Sequence, residues 1–156
     1  ARDTSGARAI VDRVLDLSRQ AGLVNRDTGE ARSHLVDLLI TEQQWQAALE
    51  QADFAAPILL ETSGERAPEV LRLGLLRAEA LLGTGQVEDA VERVRSLLNH
   101  PGIQTSPVGR MHAVLMQQRL NRASGGVSFP DAAAIDWDIV RGDPTLIRLS
   151  ERLTLS

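Results

Sequence analysis

"ALLGTGQVEDAVERVRSLL", residues Ala80 to Leu98, holds two apolar helical patterns split by Gly83-Thr84-Gly85. The upstream pattern, "EVLRLGLLRAEALL", is apolar almost all round and is broken only by Glu69, Arg72, Arg77 and Glu79. A helix of that kind is buried on several sides. Downstream, Val87, Ala90, Val91, Val94, Leu97 and Leu98 form a narrow stripe at helical spacing, and Glu88, Asp89, Glu92, Arg93 and Arg95 cover the rest. Such a helix packs on one side only. Glycine supplies the positive φ that a tight reversal needs. The stretch therefore predicts a central helix and an outer one lying antiparallel.

The same punctuation extends in both directions. After Ser5, the positions Ile10, Val11, Val14, Leu15 and Leu17 mark a helix ending near Ala21-Gly22. Asp27 with Glu30 has the spacing of a capping box, as does Thr41 with Gln44. The helices they start carry Ala31, Leu35, Leu38 and Leu39, then Trp45, Ala48, Leu49, Ala52 and Ala55, the second ending where Pro57 interferes. "ETSGERAP" is a loop, and Pro68 suits the first turn of the next helix. Beyond His100-Pro101-Gly102, Ser106-Pro107 starts a helix with Val114, Leu115 and Leu120. Ser128 and Asp131 are candidate caps for a short helix with Ile135, Ile139 and Val140. Asp143-Pro144 opens a last one with Leu146, Ile147, Leu149 and Leu153. No segment sustains period-2 alternation, so the expectation is an all-α fold of seven or eight helices.

Two hairpins superpose, "HLVDLLITEQQWQAALEQADFA" on "LRAEALLGTGQVEDAVERVRSL". Leu39 matches Leu81, Trp45 matches Val87, Ala48 matches Ala90, Leu49 matches Val91 and Ala52 matches Val94. This pattern resembles the tetratricopeptide repeat. Its small first-helix residue falls at Val36 and Ala78, its second-helix alanine at Ala48 and Ala90, and its glycine at Gly85 but at Gln43 in the earlier copy. The copies lie 42 residues apart, Ala48 against Ala90, where the repeat has about 34. The first-helix aromatic of the family is missing from both. The resemblance implies one domain over 1–156, a short right-handed solenoid of antiparallel hairpins. Residues 29–101 match best; 1–28 and 106–156 are degenerate or capping helices. A solenoid needs such caps, because its end faces otherwise expose apolar surface.

Composition narrows the chemistry. The 156 residues carry net charge −4, all 17 basic residues are arginine, and lysine, tyrosine and cysteine are absent. Without lysine there is no Schiff base and no P-loop lysine; without cysteine there is no thiol nucleophile, disulfide or thiolate metal site. The acidic balance argues against a phosphate track, so no nucleic-acid partner is expected. Arginine without lysine reads as the codon bias of a GC-rich bacterial genome. No run reaches the roughly 20 apolar residues of a membrane span. The expected compartment is the cytoplasm, with the bacterial periplasm as the alternative. The start "ARDTSGAR" lacks Met and reads as a processed terminus or a domain cut from a longer protein.

His34, His100 and His112 form no HExxH, so no metal or cofactor is expected. No nucleophile elbow is present, and the chain is read as a non-enzyme. Gly83-Thr84-Gly85 follows a helix and lacks lysine, so it is a turn and not a phosphate loop. Asp136 and Asp138 flank Trp137 without an EF-hand series, which suits a solvated helix face. The register places Trp45 inside its hairpin, while Trp137 is a candidate contact anchor. The resemblance implies a protein-interaction scaffold, part of a larger protein or assembly, that binds a peptide or partner protein on the concave face of the first helices. By register, Glu30, Ser33 and Asp37 face it in one copy, and Arg72, Leu75 and Glu79 in the next. Asp37 and Glu79 stand where some members of the family clamp a terminal carboxylate with asparagine, so a mixed or basic peptide suits the groove better. The alternatives are a regulatory domain binding a small ligand between helices and a structural module that forms homodimers.

Overall fold

A computed structural model describes residues 4–126, 129 and 133–154, and within them the chain forms nine α-helices and no strand. They are α1 (Ser5–Gln20), α2 (Arg26–Thr41), α3 (Trp45–Ser63), α4 (Pro68–Gly83), α5 (Val87–Leu98), α6 (Pro101–Thr105), α7 (Pro107–Ala123), α8 (Trp137–Arg141) and α9 (Pro144–Thr154). The helix beyond the expected number is α6, a single turn in the link between α5 and α7. Prolines occupy the first turn of α4, α6 and α7, and Pro144 opens α9; there the missing N–H has no intrahelical partner to lose.

Helices α2 and α3 fold back on each other, as do α4 and α5, and α3 packs on α4. The two turns are built alike. Gln43 and Gly85 take φ of 61° and 82°. Gln43 N–H donates to the Ile40 carbonyl and Gln44 N–H to Leu39; Gly85 N–H donates to Leu82 and Gln86 N–H to Leu81. This is the Schellman termination, which ties off the last carbonyls of a helix. Burial follows the same register. Val36 and Ala78, Ala48 and Ala90, and Ala52 and Val94 are all fully buried, and Leu49 and Val91 are buried alike. Small side chains at these points let the paired helices close to contact distance.

The same termination recurs at the end of α7, where Gly125 N–H donates to Arg122 and Gly126 N–H to Asn121. Aligned on Gln43, Gly85 and Gly125, α2, α4 and α7 end in the same way. They lie in that order, α4 touching both neighbours, with α5 packed on α7 as α3 is on α4. One continuous set of buried side chains runs from Val11 to Leu153.

Several local expectations need correction. Asn25 caps α2, accepting from Thr28 N–H while Thr28 Oγ1 accepts from Asn25 N–H, so Asp27 stands exposed in the first turn. Thr41 ends α2 by donating to the Asp37 carbonyl, and Gln44 offers α3 no side-chain cap. Pro57 does not end α3, which continues to Ser63. It lies on the exposed side, opposite Ala52, Ala55 and Leu59, so the carbonyl it leaves unpaired meets water. Gly83 is the last residue of α4 and not part of the reversal. Its role is clearance, because a Cβ there would lie 2.2 Å from the Trp45 ring. Trp45 thus packs against the core and also reaches the end of α4 in the second hairpin. Ser128 and Asp131 lie outside the described residues; α8 is capped by Asp136, which accepts from the Asp138 and Ile139 N–H groups. No helix among the described residues is long and apolar enough to cross a membrane.

Candidate functional site: the face shared by α2, α4 and α7

Alignment on the turns puts Asp37, Glu79 and Arg119 at one register position in α2, α4 and α7. Glu30, Arg72 and His112 share a second position, and Ser33, Leu75 and Leu115 a third. The sequence reading aligned the first two copies and placed α7 among the degenerate or capping helices of 106–156, without a register. Gly125, six residues beyond Arg119, was the signal, since Gln43 and Gly85 lie six beyond Asp37 and Glu79.

Helix α9 packs against α7 and α8, and its long side chains reach α2 and α4. Arg148 joins the two equivalent carboxylates. Its Nη1 donates to Asp37 and, at 3.2 Å, to Thr41 Oγ1; its Nη2 donates to Glu79 at 2.6 Å. Arg119 completes the Glu79 site at 3.0 Å. Asp37 also accepts from Arg72 at 2.9 Å and from Thr145 Oγ1 at 3.0 Å. Glu79 is completely buried and Arg148 nearly so. Two carboxylates and three guanidiniums therefore meet across four helices. Arg152, one turn further on, lies over the Trp45 ring at 4.7 Å, within cation–π range.

The electrostatics follow from this geometry. Burial alone would raise the Asp37 carboxyl, but the charges of Arg148 and Arg72 and the hydrogen bonds from Arg148 and Thr145 hold it below the ordinary carboxylate range. Burial opposes the charge on Arg148, yet Glu79 and Asp37 overcome it and raise its pKa. His112 has no such support. Burial, with Arg72 and Arg148 adding repulsion against a weaker attraction from Asp37, pushes it down to about 3. It is a neutral imidazole at physiological pH, and its Nε2 is buried without a hydrogen-bond partner.

Beside this network opens a pocket of about 230 Å³. Leu71 and Leu75 of α4, Ile103 of α6 and Val108 of α7 form its apolar walls. His112, Arg72, Asp143 and Thr145 border it.

The structure thus brings four of the residues singled out from sequence to one face and leaves the fifth elsewhere. Asp37 and Arg72 are partly exposed and paired with each other. Leu75 is core, and Glu79, expected to break the surface of α4, has no exposure at all. Trp137 opens α8 and is about half exposed. Arg148, Thr145, Arg119 and His112 were not identified from sequence, although Thr145, Arg148 and Arg152 recur at i, i+3 and i+7 as a second, polar stripe on α9. Among the described residues no histidine is hydrogen-bonded to a carboxylate, and no three His, Asp or Glu side chains gather as a metal site. Compared with protein-family models, curated proteins and solved structures, the chain matches none of them.

Proposed function

We propose that the chain is a non-catalytic binding module of tetratricopeptide-like hairpins, whose groove accepts an amphipathic helix bearing arginines. In the free protein α9 occupies that groove, and a partner helix competes with it. The observation that supports this reading is Arg148 bridging Asp37 and Glu79, two equivalent positions of successive hairpins. A groove that presents a carboxylate from each hairpin selects a helix with arginine opposite them. A guanidinium serves both because its planar fork donates in two directions. Such helix-in-groove recognition reads side chains at i, i+3 and i+7, the spacing of Thr145, Arg148 and Arg152.

The test is a fluorescein-labelled peptide with the sequence of α9, Pro144 to Thr154, followed by anisotropy against the full chain. Binding to wild type should be weak, because the tethered copy competes. Arg148→Ala in the protein weakens that copy, so the peptide should bind about tenfold tighter or more. Arg152→Ala, which removes the contact on Trp45, should act in the same direction with less cost to the fold. A peptide with glutamate in place of the central arginine should not bind. If the native peptide binds none of the three proteins, or the glutamate peptide binds equally well, the groove is not a helix receptor.

A further inference from the structure

Helix α1 carries two apolar stripes. Val11 and Leu15 belong to the core, on the side where α1 meets α2. The other stripe, Ala7, Ile10, Val14, Leu17, Ala21 and Val24, recurs at alternating steps of three and four residues, the heptad spacing of a coiled-coil seam. It lies outward: Ile10 is 68% exposed, Leu17 50% and Val24 74%, with Val14 half-buried. A run of apolar side chains left in water along one helix marks a contact surface. We propose that a second copy of the chain covers it, the two α1 helices packing antiparallel along their outer stripes.

Two observations select this occupant. The first argues against a helix of the kind that completes the hairpins. Helix α1 packs on α2 as α3 packs on α4, and Val11, Leu49 and Val91 share an exposure of 8%. Aligned on them, Ile10 stands where the hairpins carry Ala48 and Ala90, and Ala7 where they carry Trp45 and Val87. The order of large and small is reversed. A hairpin partner closes to contact distance over those alanines; Ile10 holds it off. The second observation is self-complementarity. In an antiparallel pair with its two-fold axis beside Leu15 and Asp16, Ile10 faces Ala21 of the second copy, Val24 faces Ala7, and Val14 faces Leu17. Large side chains meet smaller ones throughout. A parallel pair in register sets Ile10 on Ile10 and Ala7 on Ala7, which gives bulges and gaps in turn. The antiparallel pairing also brings Arg13 beside Gln20 of the second copy and staggers the two Arg13 side chains. A two-fold contact closes on itself and stops at the dimer. A seam along the 16 residues of α1 is about 24 Å long. That is the small end of specific interfaces, about 1,200 Å² or less. Because α2 already holds α1 in place, little ordering is lost, and a dissociation constant on the order of 10 µM fits.

The experiment is sedimentation equilibrium of the full chain from about 1 to about 500 µM, a range that brackets this constant. A monomer–dimer equilibrium is expected. Ile10→Glu together with Leu17→Glu should weaken it about a hundredfold or more, at unchanged helicity, since both side chains face water in the single chain. Val24→Glu, past the end of α1 and so without cost to the helix, should weaken it about tenfold. Leu60→Glu, at an exposed position on α3, should leave it as it is. The chain has no cysteine, so introduced ones report the direction of pairing. A short bismaleimide should join Ile10→Cys to Ala21→Cys in a mixture but join neither variant to itself, because like positions lie roughly 16 Å apart along the pair. The proposal is overturned if the chain stays monomeric to about 500 µM, if the double glutamate variant associates as wild type does, if Leu60→Glu abolishes association, or if Ile10→Cys links to itself as readily as to Ala21→Cys.

Discussion

Replacing Arg148 with methionine tests the electrostatic centre of the molecule. Methionine keeps the length and the apolar stem of the side chain but removes the fork that joins Asp37 to Glu79. The two carboxylates then fare differently. Asp37 is partly exposed and keeps Arg72 and Thr145, so its share of the loss is about 1 kcal/mol or less. Glu79 has no exposure and loses the shorter of its two ion pairs, keeping that with Arg119. Removing one partner of a buried ion pair costs about 3–5 kcal/mol, because the other charge remains desolvated. At about 2–4 °C per kcal/mol for a chain of this size, the midpoint of thermal unfolding should fall on the order of 10 °C. Urea unfolding followed by circular dichroism gives the free energy, and Arg72→Met is the control, with an expected loss of about 1 kcal/mol. Adding Glu79→Gln to Arg148→Met should recover a large part of the stability, since a neutral amide ends the burial of a charge; the double-mutant cycle isolates that coupling. A loss below about 1 kcal/mol for Arg148→Met, or one equal to that of Arg72→Met, would refute the reasoning.

Three further outcomes are expected. His112 titrates near 3 in the folded chain and near 6.5 when unfolded, so the unfolded state takes up the proton first and stability should fall by about 1.4 kcal/mol per pH unit below about pH 6.5. Urea unfolding at stepped pH should show this slope in wild type and lose it in His112→Met; Asp37, held below its ordinary value, loses its contribution only as pH falls below the usual carboxylate range. Gly83→Ala should destabilise by about 1–3 kcal/mol although alanine is the better helix former, because its Cβ meets the Trp45 ring; an unchanged or higher melting temperature would show that Trp45 packs elsewhere. Gln43→Gly should stabilise by about 1 kcal/mol, since Gln43 holds a left-handed φ of 61° that costs an L-residue roughly 1–2 kcal/mol; a loss of stability in chemical denaturation would contradict this.

The hairpins were legible in sequence because their signals are local. Gly85 marks a reversal, and the pairs Ala48–Ala90 and Ala52–Val94 repeat at fixed spacing. Proline at the head of α4, α7 and α9 was read correctly for the same reason. Pro57 misled because its effect depends on which side of α3 it occupies, and that is decided by α2 and α4. Gly83 was assigned to the turn because the ring that demands a glycine there belongs to Trp45, 38 residues earlier. The face itself was half legible: register singled out Asp37, Arg72 and Glu79 but not their partner. Arg148 lies between Leu146 and Leu149 on a helix whose apolar stripe drew the reading. Only the tertiary arrangement brings it within reach of two acids, 111 and 69 residues away.

The span of that contact bears on how the chain folds. Arrays of hairpins hold together through nearest-neighbour contacts, so they can nucleate anywhere and lose their units piecemeal. Arg148 ties the first hairpin and the second to a helix that follows both, closing loops far longer than any hairpin turn. Closing them costs chain entropy before the contact rewards it, so docking of α9 belongs to a late, slow step, after the hairpins have paired locally. Once docked, the arginine links units that would otherwise fray independently. Hydrogen exchange in α2 and α4 should then rise and fall together, as one cooperative unit; in a chain with Arg148→Met, α2 should open first and alone.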